Sequence, residues 1–82
     1  MIGQFVTSKA GHDKDTLYVI LAEEGEFVFL CDGRLKPVDK PKRKRKKHIQ
    51  PISRNVGEEL VAVIRSGKVT NEQIKYAIKQ YQ

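Results

Sequence analysis

Residues 40–48 read KPKRKRKKH, and seven of the first eight are Lys or Arg. A row of cations this dense suits the phosphates of a nucleic acid or an acidic membrane surface. No other stretch carries so plain a chemical signal. His12 and His48 lie in separate polar segments, and neither has a Cys or a second His at metal-ligand spacing. The His12-Asp13 pair could orient an imidazole, but between Lys9 and Lys14 it reads as a solvated turn. Cys31 sits in the apolar run FVFLC, where a buried, inert thiol is expected rather than a nucleophile. The serines have no motif around them, and the glycines at 3, 11, 25, 33, 57 and 67 are too scattered to cradle a phosphate. The residues therefore imply a non-catalytic protein with no metal and no cofactor.

Where the charge lies matters more than its total of +6. Positions 40–47 hold 7 of the 16 basic residues, so the rest of the chain sets 9 basic residues against 10 acidic ones, a balance of −1. The protein is a near-neutral body with one cationic segment. That segment has three readings from its residues alone: a solvated loop, a short nuclear-import patch in PKRKRKK, or a nucleic-acid contact working by phosphate neutralisation. No membrane partner is expected, and no apolar run approaches the roughly 20 residues needed to span a bilayer. A lone cysteine and a start, MIGQFVTSK, without a signal peptide point to a reducing, cytoplasmic setting.

The elements that must hold these cations are short. Gln4–Ser8 alternates as a strand, and residues 9–15 (KAGHDKD) form a polar loop. Thr16–Ala22 and Glu26–Cys31 are rich in β-branched and aromatic residues and read as strands, separated by a turn at Glu23–Gly25. Phe27 and Phe29 share one face. Asp32-Gly33 predicts a tight type I′ hairpin. Arg34–Val38 is then a fourth strand, kept short or at an edge by Pro37. His48–Ile52 is a candidate fifth. Such strands suit a small antiparallel barrel, whose closure hides its edges. The basic run, anchored at both ends to the sheet, would lie along a barrel face, with Arg34 and Lys36 extending it.

From Asn55 the period becomes helical. Val56, Leu60, Val63 and Ile64 form one stripe, with Asn55 and Glu58 as a capping arrangement and Gly67 as the stop. Thr70 and Gln73 make a capping box, with Val69 and Ile74 as its hydrophobic staple. Ile74, Ala77, Ile78 and Tyr81 line a second helix. Helices this short must pack on each other, on the barrel or on a partner. The expected organisation is a barrel over residues 1–53, including the basic segment 40–47, and a helical hairpin over residues 54–82.

GQFVTSKAGHDKDTLYVIL resembles a KOW motif: alternating apolar residues, a polar loop with a glycine (Gly11), then a hydrophobic strand. The continuation FLCDGRLKPVDKPKRKRKKHIQPI, and the ending SGKVTNEQIKYAI, are similar to bacterial KOW-domain RNA-binding proteins. Those proteins are relatives of large-subunit ribosomal proteins of archaea and eukaryotes. The resemblance covers roughly residues 2–52. It implies an SH3-like barrel that binds RNA, ribosomal RNA or RNA of the translation machinery, through the KOW loop and nearby basic segments. On this chain those map to Ser8, Lys9, Gly11, His12 and Lys14, and to Lys40, Lys42, Arg43, Lys44, Arg45, Lys46 and Lys47. Asp13 and Asp15 offset the lysines of the loop, so the basic run carries more of the expectation.

The fold expected is mainly β, a small SH3-like antiparallel barrel followed by two short C-terminal helices. The function expected is RNA binding without catalysis. A structured RNA would be held by shape and backbone, with a ribosomal-protein contact through the helices as a further partner. Stacking of unpaired bases is not expected as the main mode, because there is no Trp and the other aromatics fall mostly in core-like strands. The alternatives are a protein-interaction module, or a DNA-binding or nuclear-targeted basic protein.

Overall fold

The computed structural model describes residues 1–9 and 16–82. Five strands form one antiparallel sheet: β1 (Gln4–Ser8), β2 (Tyr18–Glu24), β3 (Phe27–Cys31), β4 (Lys42–Arg45) and β5 (Ile49–Asn55). Their order is β4-β3-β2-β1-β5. A 3-10 turn, Lys46–His48, carries the chain from β4 to β5. Two helices follow, α1 (Glu58–Arg65) and α2 (Asn71–Tyr81). The architecture is a small SH3-like barrel with two C-terminal helices.

Strand alternation explains why both faces of the sheet are buried. Val6, Tyr18, Ile20, Val28, Leu30 and Ile49 fill the concave interior. Phe5, Val19 and Cys31, one position out of step with their neighbours, face the other way. With Leu17 they meet Ile64 of α1 and Ile74 of α2 in a second cluster. Register shifts in β1 between Gln4 and Val6, and in β2 between Ile20 and Ala22, bend the strands toward closure. The Lys9 amide donates to the His48 carbonyl at 3.0 Å and so extends the β1–β5 ladder one residue beyond Ser8 and Ile49.

The basic run departs from expectation. Arg34–Val38 is not a strand, and Asp32-Gly33 does not close a two-residue hairpin. The Asp32 carboxylate instead accepts the amides of Arg34 (2.9 Å) and Lys36 (3.0 Å). A short acidic side chain thus satisfies donors that a ladder would otherwise have used, and Pro37 has none to offer. This bend is pinned to α2: the Val38 amide donates to Asn71 Oδ1 at 2.8 Å. A Cβ on Gly33 would lie 2.6 Å from the Asn71 carbonyl oxygen. The fourth strand is the basic run itself, Lys42–Arg45, paired to β3. The fifth runs over Ile49–Asn55 rather than His48–Ile52.

The second helix follows its sequence signals closely, but the first starts later than expected: Asn55 ends β5, Val56 precedes the helix, and Asn55 and Glu58 do not cap it. The N-cap of α1 is Gly57, and Asn55 Oδ1, two residues earlier, accepts the Gly57 amide at 2.9 Å. α1 stops at Gly67, whose amide donates to Ile64 while that of Lys68 donates to Val63. This is the paired closure that a glycine at φ +78 permits. α2 opens on the reciprocal Thr70–Gln73 capping box. Its stripe turns inward: Ile74 is fully buried, and Ala77, Ile78 and Tyr81 pack on the second cluster. The Tyr81 ring lies 4.9 Å from that of Phe5.

Candidate nucleic-acid interface

Because the basic run is a strand, its cations alternate between two faces. The register sets Lys42 opposite Leu30 and Lys44 opposite Val28, on the interior side. Both are half-buried. The Lys44 ammonium donates to the hydroxyl of Ser8, which is only 3% exposed. Ser8, expected to touch RNA, therefore supports Lys44 from beneath instead of presenting itself at the surface.

Arg43 and Arg45 lie opposite Phe29 and Phe27 on the outer face. The guanidinium carbon of Arg43 sits 4.2 Å from the centroid of the Phe27 ring, and that of Arg45 5.1 Å. Arg45 also pairs with Glu26 at 3.3 Å. Phe27 and Phe29 are half-buried and belong to neither core cluster, although their strand also carries the core residues Val28, Leu30 and Cys31. The physical reason lies in the helices: they cover Phe5, Val19 and Cys31 but leave the far end of the same face to the arginines.

Beyond β4, Lys46 pairs with Glu23, which also lies 3.5 Å from the N-terminal amine. The hydrogen bond from Lys46, together with these positive charges, outweighs the desolvation of Glu23 and lowers its carboxyl pKa. Lys40 and Lys47 are exposed. Among the described residues neither has an ion pair or a side-chain hydrogen bond. The run is thus one cationic strip with graded freedom: among the described residues Lys40, Arg43 and Lys47 have no carboxylate partner, whereas Arg45 and Lys46 are held by glutamates.

The other expected site residues are dispersed. Lys9 is exposed and joined through its amide to His48, at the end of the basic turn. Gly11, His12 and Lys14 lie outside the described residues. Lys36 is half-buried in the Asp32 bend, whereas Arg34 is exposed on it. Arg34 lines an open groove with Thr16, Lys75, Tyr76 and Lys79, so it faces α2 rather than extending β4. The basic residues of α2 were not anticipated; the spacing of Lys75 and Lys79, one helical turn apart, was the available signal. Among the described residues no group of three His, Cys, Asp or Glu side chains could hold a metal ion. No helix among them is long and apolar enough to cross a membrane.

No protein-family model matches the chain, and no curated protein matches it.

Proposed function

We propose that this chain is a non-catalytic RNA-binding module that docks on the phosphates of a structured RNA through Lys40–Lys47. The observation that carries this reading is the mounting of the run as a sheet strand and a tight turn. Cations held at strand spacing lose little further freedom on meeting a backbone of regularly spaced phosphates. Lys9, beside His48, adds to the same end of the barrel. The resemblance to bacterial KOW-domain proteins favours RNA over DNA, and ribosomal RNA or RNA of the translation machinery among RNAs. A cytoplasmic location belongs to the same proposal.

The test replaces Lys40, Arg43 and Lys47 with Gln and titrates a labelled, structured RNA at low salt. Affinity should fall by roughly two orders of magnitude, as expected for losing about three phosphate contacts. The melting temperature should stay near that of the unaltered protein, because none of the three replaces a core residue. Unchanged affinity in a folded variant would overturn the reading. Equal affinity for RNA and DNA duplexes of one sequence would remove the preference for RNA.

A further inference from the structure

Phe27 and Phe29 are half-buried apolar side chains that join neither core cluster of this protein. Both lie on β3, Phe27 at its first residue beside the turn from β2. Two guanidiniums lie over the Phe27 ring, that of Arg43 at 4.2 Å from the centroid and that of Arg45 at 5.1 Å. At these distances cation and ring attract through the ring quadrupole, which holds the guanidiniums in place. Arg43 is exposed. Unlike Arg45 with its Glu26, it has no ion pair or side-chain hydrogen bond among the described residues. Its planar fork of N–H donors is therefore positioned and unspent.

We propose that Arg43, held on Phe27, is a stacking platform for one unpaired nucleobase of the bound RNA. The base lies against the arginine and the adjoining phenylalanine surface, and the N–H groups of Arg43 reach its edge or the neighbouring phosphate. This rests on the RNA-binding reading above and adds to it a preference that phosphate docking alone does not supply. A row of lysines takes a duplex or a loop by charge. A flat cation on an aromatic ring favours a base that is free to leave the helix.

The test compares two RNA probes, a hairpin with an unpaired uridine loop and a blunt duplex of the same stem. The unaltered protein should prefer the hairpin. Arg43→Lys keeps the charge and Phe27→Leu keeps an apolar cover, yet each should cut the hairpin-to-duplex affinity ratio by at least about fivefold, the lower end of what one base stack contributes. Lys47→Gln should weaken both probes and leave the ratio alone. On binding the hairpin, the ring protons of Phe27 should shift in NMR spectra. A ratio unchanged in both Arg43→Lys and Phe27→Leu, while Lys47→Gln still weakens binding, would overturn the platform and leave phosphate docking standing. No affinity of the unaltered protein for either probe would overturn both.

Discussion

The thiol of Cys31 is fully buried between the sheet and the helices. Loss of hydration, and then the charge of Asp32, push its pKa up to about 12. Iodoacetamide should therefore label it slowly in the native protein and fast in urea, as followed by mass spectrometry; fast native labelling would contradict the burial. The pH dependence has a definite sign. Below about 8.5, the ordinary thiol value, folded and unfolded chains both keep the proton. Between there and about 12 only the unfolded chain releases it, so the unaltered protein should lose stability relative to Cys31→Val as the pH rises through that window. Gly3 is a second decisive position. At φ +84 a side chain is strained, and a Cβ would lie 2.5 Å from Cγ2 of Val61. Gly3→Ala should cost roughly 1–3 kcal/mol in urea unfolding, since the strain adds to displacement of α1.

The C-terminal helices were legible because their signals are local. A capping box needs only Thr70 and Gln73, and a helix stop only Gly67. Ile74 shows that the stripe belongs to the common core. Ile74→Ala should lower stability by about 2–5 kcal/mol, the range for emptying a fully buried aliphatic site. Thr70→Ala should cost about 1 kcal/mol for one lost cap. A denaturant midpoint unmoved by Ile74→Ala would mean the helices do not share the core. The strands β1, β2 and β3 were legible for the same reason, as short apolar runs. The fourth was not. Nothing in KRKR has strand character, and Lys42–Arg45 is a strand only because β3 offers it a ladder. Asp-Gly pointed to a tight hairpin, but the Asp32 side chain captured the amides that such a turn would have directed. The basic run was therefore visible in the sequence while its two faces were not. The inward turn of Lys44 to Ser8, and the seat of Arg43 on Phe27, depend on a register that only the folded sheet defines.

For the protein as a unit, a near-neutral barrel and helical pair carry one edge strand of cations. Charged residues on an edge strand also discourage pairing between sheets, so their presence alone does not prove a ligand. A phosphate-bearing partner leaves a signature that edge protection does not: each neutralised phosphate releases condensed counterions, and binding then depends steeply on salt. The most direct measurement is the affinity for a labelled, structured RNA across a series of salt concentrations. With about half of the run engaged, log affinity should fall against log salt with a slope near −3, at roughly −0.7 to −0.9 per phosphate. A slope close to zero would mean that the interface is not made of phosphate contacts and would contradict the central claim.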